Sequence, residues 1–447
     1  MKASFETDYH GPANESLAEP SPPRWDRKRS PARSATSPAG AVAHRRPSTL
    51  GDAISRRWWY LEADKLCAAA RRRTGLQDFG EPAMEPALAT LTESLEQEAD
   101  LHPLGRFLMR VHLQGLLETR LRLVDLWHRE SGEMLAPPVR RPIFITGMPR
   151  SGSTFLHELL AEDPANRAPR VWEVMFPIPP AVKSPQAPDP RIRKAAACLW
   201  WFRRFAPQAD AVFPMRANTP HECVAIQSYS LLAEEFVSTC RVPRYERFLR
   251  HADLRPAYEW QRRFLQHLQH GAPERQWVLK SPDHVYGLEA LLAVFPDARI
   301  VQTHRNPLDV LKSSCHLTEV LHRLYARAGD PAQLAARETA VLAGVVSRFV
   351  HFRDAHPELA ARIIDVHYDE IVSDPLAVVR RIYDQFEMAL GKEAGRRMES
   401  LAHQRSRYEH RRPAGTPDLI GGGKTEVTCF ERYCARFNVG WGRSPAR

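Results

Sequence analysis

The chain has 447 residues, 43% of them hydrophobic and 26% charged, with a formal net charge of +10. It is long enough to bury a large core and to hold two or three domains. No apolar run reaches about 18 residues, so no membrane-spanning helix is expected, and the positive balance suits an anionic ligand.

Residues 1–50 are rich in Pro, Ser, Ala and Arg and lack hydrophobic periodicity, which predicts a disordered tail. Lys2 is followed by no apolar stretch, so no secretory signal is read there. Residues 51–140 read as a helical extension. Helices are expected over 53–73 and 83–98. The clearest is Arg106–Glu130, where Met109, Leu113, Leu116, Leu117, Leu121, Val124 and Trp127 keep helical spacing. The extension packs either on the rest of the chain or on a second copy of it. Trp58-Trp59-Tyr60 reads as core.

An α/β domain is expected over 141–447. Ile143-Phe144-Ile145 reads as a buried strand. It runs into the turn Gly147-Met148-Pro149-Arg150-Ser151-Gly152 and a helix opening at Ser153-Thr154. Strand, glycine-bearing turn and helix N-terminus make an anion cradle of inward N–H groups and helix dipole. The spacing nearly matches the nucleotide P-loop G-x-x-x-x-G-K-[ST], but Ser153 stands where that motif has lysine. Arg150 lies inside the turn instead, where its planar fork suits a phosphate or sulfate.

Residues 174–270 separate the first βα unit from the second and must hold their own helices. Residues 174–220 are rich in Pro and aromatics (Phe176, Pro177, Pro179, Pro180, Trp200, Trp201, Phe202, Phe205, Phe213), and part of them reads as a lid or wall over an acceptor pocket. Residues 277–315 then give two βα units in series. Trp277-Val278-Leu279 is a strand ending in Lys280-Ser281-Pro282-Asp283, with Asp283 as N-cap of a helix to Phe295. Ala298–Gln302 is the next strand, followed by Thr303-His304-Arg305-Asn306-Pro307 and a helix. In such parallel sheets ligands bind beyond the carboxyl ends of the strands, where Gly147, Lys280 and Arg305 converge. A late strand within Arg362–Val372 carries Tyr368 and precedes a helix to Phe386. The C-terminal region holds Arg405, Arg407, Arg411 and Arg412, then Gly421-Gly422-Gly423-Lys424.

The seven cysteines are scattered, odd in number and without a C-x-x-C pair, which predicts free thiols and a cytoplasmic location. No zinc spacing, aromatic-interleaved basic repeat or recognition helix appears, so no nucleic-acid partner is expected.

Together these segments resemble the sulfotransferases that use 3′-phosphoadenosine 5′-phosphosulfate (PAPS). The first loop resembles the branch with Pro-Arg-Ser-Gly-[Ser/Thr]-Thr, found in many bacterial members and in the tyrosylprotein sulfotransferases; the cytosolic branch has Lys where Arg150 stands. The resemblance implies a P-loop-like parallel sheet flanked by helices, carrying the helical extension and the helical insertion. It implies that Arg150, Ser151, Gly152, Ser153 and Thr154 hold the 5′-phosphosulfate. Arg305, with Ser313 on the following helix, would hold the 3′-phosphate. Lys280 would lie near the bridging oxygen and Tyr368 near the nucleotide. Lys424 is a weaker candidate, since the glycine- and lysine-rich late loop of the cytosolic branch matches poorly here.

Sulfuryl transfer also needs a base for the acceptor hydroxyl. A Glu at a comparable offset from the loop arginine is the proposed base in the tyrosylprotein branch, which implies Glu173, although its flanking residues differ. Glu222, in His221-Glu222-Cys223, is the second candidate; His157 reads as packing or surface. The implied acceptor is a hydroxyl on a small molecule, glycan or lipid. The implied product is 3′-phosphoadenosine 5′-phosphate (PAP), with no metal, and a homo-oligomer is left open. Two rival readings remain. A P-loop NTPase or kinase is disfavoured by Ser153 and by the lack of a clear Walker-B strand. A non-catalytic protein that retains the fold is disfavoured by the presence of Arg150, Lys280, Arg305 and Ser313.

Overall fold

The computed structural model describes residues 59–130, 133–178, 189–272, 274–406 and 424–440. The expected tail 1–50, Trp58, residues 179–188 and the arginine- and glycine-rich stretch 407–423 lie outside them, as does the side chain of Lys424.

Five parallel strands form the centre: β1 (Ile143–Gly147), β2 (Asn166–Arg167), β3 (Gln276–Lys280), β4 (Arg299–His304) and β5 (Ile363–His367), in the order β2-β3-β1-β4-β5. Every residue of β1 and β4 is buried. That burial explains their near-continuous apolar sequences, because a parallel sheet is covered on both faces. The alternation sorts neighbours to opposite cores. Ile143, Ile145 and Val301 join one cluster, whereas Ile300 joins another with Val346 and Phe349.

Among the described residues, α1 (Ala63–Thr74), α2 (Glu85–Gln97) and α3 (Pro103–Arg129) precede the sheet. α4 (Ser153–Leu160) follows β1, and α5 (Val171–Met175) follows β2. The insertion carries α6 (Pro190–Phe205), α7 (Pro207–Val212), α8 (Cys223–Gln227), α9 (Glu235–Thr239), α10 (Pro243–His251) and α11 (Arg255–Gln269). After β3 comes α12 (Leu288–Val294), and after β4 come α13 (Pro307–Tyr325) and α14 (Pro331–Ala355). The chain closes with α15 (Tyr368–Ser373), α16 (Pro375–Gln385), α17 (Lys392–Ser406) and α18 (Lys424–Phe437). From β1 the chain goes first to β2 and β3 on one side, then to β4 and β5 on the other. β1 is therefore the switch point, and in open parallel sheets ligands bind in the crevice beyond the carboxyl ends of the strands there.

The helical extension packs on its own chain. Leu88, Leu91, Leu113 and Leu117 share one core with Tyr229, Trp260 and Phe264 of the insertion and with Phe144 and Leu279 of the sheet. Local details depart from expectation. Residues 53–73 are not one helix: α1 begins at Ala63 because the Leu61 amide donates to Glu96 Oε1 at 2.8 Å rather than along a helix. Trp59 packs on Phe107 of α3 with ring centroids 5.3 Å apart, and Tyr60 is exposed, so this pair lies at the surface rather than in the core. Asp283 is not a helix N-cap. Ser281 caps a 3-10 turn, Pro282–Tyr286, and α12 starts afterwards.

Arg120 of α3 clamps this layer. Fully buried, it donates from Nε to the Phe79 carbonyl (2.7 Å) and from Nη1 to that of Tyr229 (2.8 Å), and its guanidinium lies 4.3 Å from the Trp260 ring centre. Nη2 donates to the carbonyls of Gly80 and Pro82. Arg120→Ala would strand these buried acceptors and open a cavity. It is expected to cost about 3 kcal/mol or more, read as a lower urea midpoint with an unchanged slope.

Candidate active site

The loop between β1 and α4 is built around β4. A Cβ on Gly147, whose φ is 149°, would stand 2.2 Å from Thr303 Oγ1, so only glycine lets β1 end this close to its neighbour. The Ser151 hydroxyl, fully buried, shares a hydrogen bond with Thr303 Oγ1 at 2.6 Å, and Thr303 Oγ1 donates to the Thr146 carbonyl at 3.1 Å. Ser151 thus shapes the turn with its side chain. Gly152 (φ 87°) caps α4, and Arg150 sits at φ 62°, a left-handed conformation that costs a non-glycine residue about 1 kcal/mol.

That strain aims Arg150 across the crevice. Its Nε donates to Ser313 Oγ at 2.9 Å and its Nη1 to the Val212 carbonyl at 3.3 Å. Arg305, from the end of β4, returns the contact: its Nη1 donates to the Arg150 carbonyl at 2.7 Å. The Arg305 guanidinium lies 3.8 Å from the centre of the Tyr368 ring, and its Nε is buried without a hydrogen-bond partner. Burial, reinforced by the charge of Arg305, lowers the Arg150 pKa. The structure therefore brings Arg150, Arg305, Ser313 and Tyr368 together from three separate segments of the sequence.

Lys280 enters from β3. Its side chain is 2% exposed, ion-paired to Glu222, and its Nζ donates to Thr154 Oγ1 at 3.1 Å. Glu222 is carried by the segment that runs beside α5, where the His221 N–H donates to the Pro169 carbonyl at 2.7 Å. Glu173, in the first turn of α5, is held differently. Its Oε2 accepts the Arg170 N–H (2.9 Å) and its Oε1 accepts from Arg167 Nη2 (3.2 Å), so both oxygens serve the start of α5. His157 Nε2 meets the Val278 carbonyl at 3.0 Å, inside the packing behind β3.

Sequence reasoning missed the support behind Arg305. His304 Nδ1 meets the Tyr433 hydroxyl at 2.7 Å and its Nε2 meets Asp365 Oδ1 at 2.9 Å, while Phe437 stacks on its ring at 4.5 Å. Burial alone would raise the Asp365 pKa, but hydrogen bonds from His304 and Arg353 prevail and hold it at about 2. Asn306 Nδ2 adds a bond to the Gly440 carbonyl at 2.8 Å. The C-terminal helix α18 thereby fixes the turn that presents Arg305, and no local motif in α18 announces it. Among the described residues no cluster of three or more His, Cys, Asp or Glu is arranged to hold a metal.

Residues 142–391, spanning all five strands together with Arg150, Glu173, Glu222, Lys280, Arg305, Ser313 and Tyr368, match the family model described as the sulfotransferase family. The chain belongs to that family. Among solved members, it is 30% identical to the sulfotransferase STF9 from Mycobacterium avium, with a TM-score of 0.74 over 86% of this chain and 98% of that one. For STF1 from Mycobacterium tuberculosis the identity is 29% and the TM-score 0.68, over 83% and 98% of the two chains. A curated relative from Mycobacterium tuberculosis, the omega-hydroxy-beta-dihydromenaquinone-9 sulfotransferase Stf3, is 26% identical over 261 residues, which is 54% of this chain and 61% of the relative. The match thus spans about three fifths of that sulfotransferase's length.

Two buried histidines near Lys280 tie stability to pH. Burial, with the charge of Lys280 beside them, pushes the pKa of both His157 and His284 down to about 3. Unfolded, each titrates near about 6.5. Between those values the unfolded chain binds protons that the folded chain refuses. Their contribution is complete above about pH 6.5 and is lost, at up to about 1.4 kcal/mol per pH unit for each histidine, as pH falls toward 3. Melting temperature is expected to drop between pH 7 and 5, and less steeply in His157→Gln; an unchanged slope would contradict this account.

Proposed function

We propose that this sulfotransferase moves a sulfuryl group from PAPS to the hydroxyl of an apolar acceptor. The observation that carries the reading is the convergence of Arg150, Lys280 and Arg305 at the strand ends, with Glu222, among the described residues, as the one carboxylate bonded to any of the three and Arg305 Nε left without a partner. A buried donor of this kind is costly unless an anion meets it, and an anionic ligand fits that need.

The bound donor supplies an activated sulfuryl group and a phosphate leaving group. The chain's own residues do the rest. Arg305, with Tyr368 beneath it, is assigned to the 3′-phosphate, and the N–H groups from Gly152 to Thr154 to the 5′ end at the start of α4. Arg150 and Lys280 meet the charge that develops on the transferring and leaving groups, the task a metal performs in P-loop NTPases. Lys280, reaching in from β3, supplies an ammonium that the P-loop motif places where Ser153 stands. The preserved cations also favour an enzyme over a non-catalytic relative.

For the proton of the acceptor hydroxyl we assign Glu222 ahead of Glu173. Glu222 touches Lys280, and its charge is felt at Arg150. Glu173 has both oxygens committed to Arg167 and the Arg170 amide. Support for an apolar acceptor comes from the wall beside α5, where Trp172, Met175, Phe176 and Met215 pack around Val171 and Leu199. The relative Stf3, whose name specifies a hydroxylated menaquinone, is in keeping with it.

Arg305→Ala is expected to weaken PAP binding at least about tenfold, the loss of one charge-assisted hydrogen bond or more, while adenosine 5′-phosphosulfate binding changes little. Equal weakening of both ligands in calorimetry would remove Arg305 from the 3′-site.

Glu222→Gln is expected to leave PAP affinity undiminished, since removing a negative charge cannot repel an anion, and to cut PAPS turnover about a hundredfold or more against a lipid-extract acceptor pool. Glu173→Gln should instead lower the melting temperature through its lost cap. Normal turnover in Glu222→Gln, with a dead but stable Glu173→Gln, would return the role of base to Glu173.

A further inference from the structure

We propose that α6 is a docking surface for an anionic lipid bilayer. Its inner face is committed: Ala195 and Leu199 pack with Val171 of α5 and Ala217. Its outer face is not. Trp200, Trp201 and Phe205 are 52%, 55% and 77% exposed. They form one ridge, with Trp200 and Trp201 centroids 4.7 Å apart and Trp201 stacked on Phe205 at 5.6 Å. Three large aromatics exposed in one patch on a helix whose other face is buried demand a partner.

Charge identifies that partner. Between Pro190 and Phe205 there is no Asp or Glu, while Arg193, Lys194, Arg203 and Arg204 are present. Arg193, Lys194 and Arg204 are exposed. A helix with aromatics at its outer edge and only cations around them matches the interfacial helices that lie in an anionic headgroup layer. Tryptophan favours that layer because its ring is apolar and its N–H polar. A second copy of the chain is a poor occupant, because a two-fold interface would set this cationic helix against itself.

The surface continues beyond α6. Phe202 and Leu324 of α13 pack in one small cluster, and the neighbouring Tyr325 accepts at its carbonyl from the His102 N–H, at the start of α3. From there Leu104, Phe107, Leu108 and Val111 expose an apolar stripe along α3 at helical spacing. The same ridge lies one short helix from the chemistry, since α7 follows α6 directly and Val212 at its end accepts from Arg150. A chain docked this way would present its crevice to alcohols resident in the bilayer. That use rests on the proposed sulfuryl transfer; the docking does not.

The test is co-sedimentation of the full chain with vesicles of phosphatidylcholine alone and of phosphatidylcholine with phosphatidylglycerol. Binding is expected only with the anionic lipid, with a blue shift of tryptophan emission, and should fall as salt rises. The double variant Trp201→Ser/Phe205→Ser should weaken it about tenfold or more while PAP binding stays unchanged. Absence of binding to anionic vesicles, or binding that survives the double variant, would overturn the proposal. So would a concentration-dependent dimer that the double variant dissolves, or a tight complex with a single-stranded oligonucleotide. Loss of PAP binding in the native chain would strike the sulfotransfer reading alone.

Discussion

Two guanidinium groups and one ammonium are drawn together at the ends of three neighbouring strands, and the rest of the site follows from keeping them there. Like charges brought this close repel, so each is held by a backbone or side-chain oxygen that accepts from it. Arg305 is tied to the carbonyl of Arg150, Arg150 to Ser313, and Lys280 to Glu222 and Thr154. The tethers explain the strained φ of Arg150, the glycine required where β1 meets Thr303, and the distant helix α18 that braces His304. They also leave the positive charge incompletely met, which is the condition an anionic donor satisfies.

The parts of this arrangement that were legible in the sequence are those with short-range signals. The strand–turn–helix at Ile143–Leu160 carries a fixed spacing of Gly147 and Gly152, and the β4 end carries Arg305 eight residues before Ser313. Apolar runs at Ile143, Trp277 and Ile300 identify buried parallel strands because both faces are covered, so no alternation dilutes the signal. The long helix around Leu113 and Leu117 is plain for the same reason in helical period.

What the sequence concealed depends on contacts between remote residues. Nothing local says that Glu222 rather than Glu173 lies against Lys280, because the β-like crossing of Arg170 with Pro220 that delivers Glu222 joins segments fifty residues apart. The start of α1 depends on a carboxylate from another helix. The aromatic cluster of α6 reads in the sequence as a wall over the acceptor pocket, since a hydrophobic residue in a sequence does not declare which side of its helix lacks a neighbour. Among the described residues no helix is long and apolar enough to cross a membrane.

The central claim is that the cationic crevice supports group transfer and does not merely bind. The most direct measurement is to incubate the chain with PAPS bearing an isotopic label in its sulfuryl group, together with a total lipid extract, and to follow the label by mass spectrometry. The account predicts labelled sulfate ester on an apolar alcohol and stoichiometric PAP. Tight PAP binding with no labelled ester in lipid, glycan or small-molecule extracts would contradict it and leave a binding fold without the chemistry.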